Sequence, residues 1–333
     1  MNPTAGICGF ELSSCVINGA GPQDESLDNL RRLGESASGA ITIKSATKEP
    51  RGGNPEPRWH DAEPASLNAM GLPNLGYAEY AKVIPELKEA YGKPVIGSVS
   101  GFSVEDNVAM IEAYGQAGAD IIEVNVACPN TETEVVGYDF EQLGRVLPAY
   151  RRSTAKPLAV KLPPYTTNGQ FDKAAGAIKA AKIDIVISIN TVGQTTEVDV
   201  ETEQTVLAAT KGFGGMSGEA VLPIALGNVR HLAARMGPDF PIIGIGGVTS
   251  GEDAFKHLLC GAHAVGVATE YMKDGPGVFK RITDELAELL DRKGYDSVDQ
   301  VVGKLKVRPE HAGWDELSQA VSDRRAKKEV KKA

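Results

Sequence analysis

The sequence predicts an α/β chain folded as a (β/α)8 TIM barrel with long loops after strands 2, 4 and 6. Eight short, nearly continuous apolar runs alternate with amphipathic, helix-like segments along almost the whole chain. That is the pattern of parallel strands buried on both faces. The length of 333 residues suits one such barrel, about 250 residues plus insertions. Hydrophobic residues make up 42% of the chain and aromatics only 6%, so the apolar mass is mainly Ala, Val, Ile and Leu. Branched aliphatic side chains of this kind fill the interior layers of a barrel.

The strands are expected, in order, at residues 15–18, 40–44, 94–99, 120–126, 157–162, 184–190, 241–246 and 262–268. The helices between them carry punctuation. Asp24 is expected to open the first, with Leu27, Leu30 and Leu33 on one face and Gly34 at its end. Ser103 with Asp106 resembles a capping box ahead of the stripe Val104, Val108 and Ile111. Ser250 with Asp253 repeats that pattern, and Gly261 marks the end of the helix. Two connections are too long to be mere links. Residues 46–75 follow strand 2 and residues 191–218 follow strand 6, both at the C-terminal face, where structureless loops of this length are usually lids or site walls. We expect one catalytic domain over residues 1–310 and a C-terminal extension with a basic tail over 311–333.

Composition excludes several function classes. A net charge of −9 argues against nucleic-acid binding, which needs a basic face. The basic run from Asp323 to Lys332 reads as a solvated helix end. Cys8, Cys15, Cys128 and Cys260 lack the Cys-x-x-Cys spacing of zinc or iron–sulfur sites and give no disulfide framework, so no metal is expected. There is no apolar run of about 18 residues for a membrane span, and no signal-peptide pattern. A cytoplasmic location follows as the expectation.

Strand 7 runs into Ile245-Gly246-Gly247-Val248 and strand 8 into Val267-Ala268-Thr269. Backbone amides after these two strands are the recurrent phosphate site of this barrel, and glycine lets the main chain approach an anion. Gly214, Gly215 and Gly218 offer further amides. Alone, such glycines would signify only tight turns; at the ends of both strands they indicate a phosphorylated ligand. Lys44, Asn125, Lys161 and Asn190 close strands 2, 4, 5 and 6. Any one of them would pass as a solvated strand end, but four polar residues on one reactive rim point to a site. Lysine donates to a carboxylate or carbonyl edge, and Asn offers donor and acceptor together. Asn68, Asn125, Asn130 and Asn190 together suit a pyrimidine-dione ring, whereas Asn74 reads as turn chemistry. Cys128 begins a loop at the catalytic face, unlike Cys15 and Cys260, which read as small buried hydrophobes. With an ordinary pKa of about 8.5, it would serve as a base best at alkaline pH.

Several motifs occur in a fixed order. Lys44-Ser45-Ala46-Thr47 precedes Arg51-Gly52-Gly53-Asn54-Pro55-Glu56-Pro57-Arg58 and then Asn68-Ala69-Met70-Gly71-Leu72-Pro73-Asn74. Asn125-Val126-Ala127-Cys128-Pro129-Asn130, Lys161-Leu162-Pro163-Pro164-Tyr165, Gly212-Phe213-Gly214-Gly215 and Gly246-Gly247 follow. Over about residues 8–306 this series resembles the dihydroorotate dehydrogenases in their class 1A form. The resemblance implies an FMN enzyme of pyrimidine biosynthesis that oxidises dihydroorotate to orotate and passes the electrons to fumarate. It implies Cys128 as the base. Orotate would lie against Lys44, Asn68, Met70, Gly71, Leu72, Asn125, Asn130, Asn190 and Thr191. Ala20, Lys44, Ser45, Asn125, Lys161 and Ile189 would line the flavin, with Gly218, Gly246, Gly247, Ala268 and Thr269 at its phosphate. A cis-proline is expected at Pro57, and a homodimer without an iron–sulfur subunit.

The chain also departs from that pattern. Residues 131–137 read Thr-Glu-Thr-Glu-Val-Val-Gly where the family usually has Pro-Gly-Lys-Pro, and Ala127 and Ala20 replace usual serines. The alternatives are an enzyme of the same family with another acceptor or substrate, or a flavin-binding module without turnover. Class 2 members use a serine base and a membrane-associating N-terminus. Class 1B members need an iron–sulfur partner. A tRNA dihydrouridine synthase would need a basic face and an added RNA-binding domain. The residues quoted oppose the module without turnover, class 2, class 1B and the tRNA enzyme; the changed 131–137 loop leaves open another acceptor or substrate within the family.

Overall fold

Eight parallel strands form the frame of the computed structural model, which describes residues 3–128 and 135–308. They are β1 (Val16–Asn18), β2 (Ile41–Thr42), β3 (Val95–Val99), β4 (Ile121–Asn125), β5 (Leu158–Leu162), β6 (Ile185–Ser188), β7 (Ile242–Ile245) and β8 (Ala264–Val267). Each lies inside one of the eight expected runs. The hydrogen-bonded order is β1-β8-β7-β6-β5-β4-β3-β2, so every strand pairs with its sequence neighbour except across the seam between β1 and β2. Nearly every strand residue is buried, which accounts for the unbroken apolar runs.

The seam closes by a different device. The side chain of Asn18 donates through Nδ2 to the Thr42 carbonyl at 2.7 Å and accepts from the Thr42 amide through Oδ1 at 2.8 Å. Thr42 Oγ1 returns a bond to the Asn18 carbonyl at 2.9 Å, and the Gly39 amide donates to the Val16 carbonyl at 3.0 Å. A side-chain amide thus replaces a peptide group where β2 is too short to run a full ladder beside β1.

Around the strands run α1 (Leu27–Glu35), α2 (Tyr77–Tyr91), α3 (Val104–Gln116), α4 (Phe140–Arg152), α5 (Asn168–Ala180), α6 (Leu222–Met236), α7 (Gly251–Leu259), α8 (Thr269–Asp274) and α9 (Gly277–Lys293). Ser103 and Ser250 cap α3 and α7 by accepting from the amides of Asp106 and Asp253. Gly261 follows α7 with φ +109°, as a residue past a helix end should. The start of α1 differs from expectation. Its cap is Ser26, which accepts from the Asn29 amide, and Asp24 closes a short 3₁₀ turn ahead of it. Gly34 sits inside α1, where a Cβ would come within 2.3 Å of the Tyr91 ring; its small size serves helix packing.

The connections after β2 and β6 are not structureless, contrary to expectation. They join in a four-stranded antiparallel sheet whose order is Val192–Thr195, Gly214–Ser217, Ala65–Asn68, Trp59–Ala62. Its central register pairs Gly215 with Asn68, Met216 with Leu67 and Ser217 with Ser66. Leu67, Ala69 and Leu207 form a small apolar cluster of their own. The Glu56–Pro57 peptide is cis, as anticipated. The barrel lies in a compact unit that ends at Gly303. Beyond it, residues 304–308 carry no regular element.

Candidate active site

A cavity of about 380 Å³ opens at the C-terminal ends of the strands, the face on which barrel enzymes place their chemistry. Its floor is polar because the strand ends carry polar residues. Just past β2, Lys44 and Ser45 are buried, 6% and 3% exposed. At the end of β4, Asn125 reaches back through Nδ2 to Ser45 Oγ at 3.4 Å and accepts the Ala127 amide at 3.0 Å. Ser45 in turn meets Ser98 Oγ at 2.8 Å, and Ser98 donates to Glu123 Oε1 at 2.8 Å. Lys161 projects from β5 and donates to the Ala20 carbonyl at 3.4 Å. After β6, Asn190 donates to the Ala127 carbonyl at 2.6 Å, tying down the backbone next to Cys128.

The antiparallel sheet supplies a wall. Asn68 donates to the Gly215 carbonyl at 3.2 Å across the join between the two insertions. Thr191 packs over Gly215, where any Cβ would fall 2.2 Å from Thr191 Oγ1. That hydroxyl is buried and meets no hydrogen-bond partner among the described residues. Such a group calls for a polar partner in the cavity.

Glycines shape the far end. Gly218, Gly246 and Gly247 hold φ of +84°, +124° and +74°, values that side-chain-bearing residues rarely adopt. At Gly247 a Cβ would also stand 2.5 Å from Leu222 Cα, so main chain alone faces the cavity there. Behind the turn, buried His257 of α7 binds the Gly246 carbonyl at 3.1 Å through Nε2. Burial lowers this imidazole to a pKa of about 4, so it is neutral and Nε2 carries the hydrogen. Gly214 and Gly215, expected among the anion-facing glycines, are instead strand residues of the added sheet and do not line the cavity.

Charge in the floor is unusual. Burial pulls the Lys44 ammonium below its ordinary value; Asp24 pulls it back up, Lys161 pushes it further down, and Glu25 and Cys128 raise it. Asp24 is fully buried. Burial pushes its carboxyl up to about 7, against the Gly21 amide, Lys44, Asn18 and Lys161, which pull it down.

The residues singled out in the sequence come together here with few exceptions. Cys128, Lys44, Asn68, Met70, Leu72, Asn125, Asn190 and Thr191 line the cavity, as do Ala20, Ser45, Lys161, Ile189, Gly218, Gly246, Gly247, Ala268 and Thr269. Gly71 does not; it turns at φ +72° against Asn54. Asn130 lies outside the described residues. Asn74 braces its own turn, accepting from the amides of Thr47 and Gly76. Trp59, Pro64, Met216, Met272 and Lys273 also line the cavity and were not anticipated. Met216 is placed by strand pairing with a distant segment, which leaves no local signal, while Trp59 and Pro64 belong to the local hairpin it pairs with and Met272 and Lys273 to α8. Among the described residues no cluster of potential metal ligands occurs, and no helix is long and apolar enough to cross a membrane.

Known proteins give this geometry its context. The family model described as dihydroorotate dehydrogenase matches residues 4–290. The dihydroorotate dehydrogenase (fumarate) of Lachancea kluyveri is 42% identical over 293 residues, covering 87% of this chain and 93% of the relative. The dihydroorotate dehydrogenase A (fumarate) of Lactococcus lactis subsp. lactis is 40% identical over 300 residues, covering 89% and 96%. A ligand-free DHODH crystal structure from Eimeria tenella superposes with a TM-score of 0.79 at 21% identity, covering 92% of each chain; at that identity the likeness speaks for the barrel. A match across nearly the whole barrel, together with the cavity residues above, places the chain in the dihydroorotate dehydrogenase family.

Proposed function

We propose that this protein oxidises dihydroorotate to orotate in pyrimidine biosynthesis, as a class 1A enzyme with FMN as cofactor and fumarate as final acceptor. The observation that carries the reading is the gathering of Cys128, two buried lysines and the asparagine set in one cavity that ends in a glycine turn. The names of relatives about 40% identical over most of the chain support it.

The glycine turns fit a phosphate: Gly218, Gly246 and Gly247 hold positive φ and leave little room for a Cβ, so they offer main chain to the cavity, with Ala268 and Thr269 lining it as well. Ala20, Ser45, Ile189, Asn125 and Lys161, which line the cavity, would hold the ring system. Bound there, the flavin supplies the hydride acceptor. The chain's own residues perform the rest. Lys44 attracts the substrate carboxylate beside Met70 and Leu72. Asn68, Asn125 and Asn190 present donor and acceptor pairs to the ring's amide edges, with Thr191 Oγ1 available for one more bond. Cys128, as thiolate, takes the proton from C5. We read the protein as a homodimer that needs no iron–sulfur subunit.

Anaerobic addition of dihydroorotate should bleach the flavin band, and fumarate should restore it. In Cys128→Ser, bleaching should slow by about 10²- to 10⁴-fold, the usual weight of a general base, while flavin content stays unchanged. Bleaching that fumarate fails to reverse would move the acceptor elsewhere. A yellow protein indifferent to dihydroorotate would refute the substrate.

A further inference from the structure

Asp24 has no part in the chemistry above, yet its burial is costly. Its carboxyl is wholly enclosed, accepts the Gly21 amide through Oδ2 at 2.8 Å, and leaves Oδ1 with no hydrogen-bond partner among the described residues. Its carbonyl receives the Lys44 amide at 3.4 Å. No ion pair within 4 Å forms between Asp24 and Lys44 or Lys161, although both ammonium groups act on it. A buried carboxyl with a free oxygen, close to two buried lysines but paired with neither, is poised to change its charge rather than to hold a bridge.

We propose that Asp24 is a positioning residue of this site: by taking up a proton when an anionic substrate arrives, it sets the net charge that Lys44 presents to that anion. The inference rests on the reading of Lys44 as the carboxylate contact. The groups facing this pair come from several elements. Lys161 belongs to β5, Cys128 to the loop after β4, and Glu25 to the turn before α1. The phenols of Tyr80 in α2 and Tyr271 in α8 also feel the Asp24 charge.

The sign follows from charge. Near neutral pH the carboxyl of Asp24, pushed up by burial to about 7, is partly ionised. An anion bound at Lys44 opposes that ionisation, so the carboxylate draws one proton from solvent as the anion binds. Affinity for the anion then weakens as pH rises through neutrality. Cys128 lines the same cavity but governs the proton-abstraction step, so its effect falls on kcat.

The test is orotate binding to the holoenzyme between pH 6 and 8.5, followed by the flavin spectrum and by calorimetry in buffers of different ionisation enthalpy. For the wild type, the dissociation constant should rise about tenfold between pH 6 and 8, with uptake of up to one proton. In Asp24→Asn the uptake near neutrality and this slope should vanish. KM for dihydroorotate should lose its pH dependence, while the pH limb of kcat remains. Infrared difference spectra of the wild type, with and without orotate, should show a new protonated-carboxyl band, a readout that requires no variant to fold. Orotate binding without proton uptake, without that band, or with uptake undiminished in Asp24→Asn overturns the inference and leaves the function standing. A flavin spectrum unmoved by orotate at every pH would overturn the function and the inference together.

Discussion

His257 shows how much one buried side chain can contribute. It is neutral in the fold, with its Nδ1 lacking a hydrogen-bond partner among the described residues and Nε2 holding the glycine turn at Gly246. Burial lowers its pKa from 6.5 to about 4. The stability it contributes is therefore fully present above pH 6.5 and is lost as the pH falls through 4. The span corresponds to about 3 kcal/mol at most. Urea unfolding at pH 7.5 and pH 4.5 should show that much loss in the wild type beyond the loss in His257→Gln, whose amide can still donate to Gly246. Equal acid losses in the two proteins would show that His257 is not the source. Residues of this kind are hard to read from sequence. Lys44, Asn125, Lys161 and Asn190 were legible because polar groups closing apolar strands have no packing reason to be there. Asp24 was read as a helix opener because a cap and a buried carboxyl look alike in one dimension, and only the fold encloses it.

Among the elements, the added antiparallel sheet links barrel and cavity. Lys273 of α8 donates to Asp61 of that sheet at 2.8 Å and lies 3.9 Å from Glu63. Both partners of the closer pair are partly exposed, so its weight in global stability is small, about 0–1 kcal/mol. Its location counts for more, because Lys273 and Glu63 both line the cavity. Lys273→Ala should change the melting temperature little yet release flavin severalfold faster, measured by the fluorescence of free flavin after dilution. An unchanged release rate would reduce this pair to surface decoration. The eight barrel strands were plain in the sequence because burial on both faces writes unbroken apolar runs. The added sheet was not. Its strands are short and partly polar, and Asn68 finds Gly215 across a separation of 147 residues, so four genuine strands passed for loops.

On the scale of the whole molecule, the barrel depends on its seam. At the seam the Asn18 amide stands in for a peptide beside Thr42 and carries two of the bonds that close the eight strands. Asn18→Ala would strand a buried N–H and a buried C=O at once, at a cost of roughly 2–5 kcal/mol. Denaturant unfolding should register that loss; a change under 1 kcal/mol would mean that the seam relaxes onto other partners. The sheet built from the two insertions has a consequence for how such enzymes diverge. Neither insertion makes the wall alone: Ala65–Asn68 finds its mate in Gly214–Ser217. Exchanging one between related enzymes would leave a strand edge bare, open to pairing with another chain. The two segments can be traded only as a matched set, and substrate preference, where it depends on this wall, must be inherited as a unit from both halves of the gene.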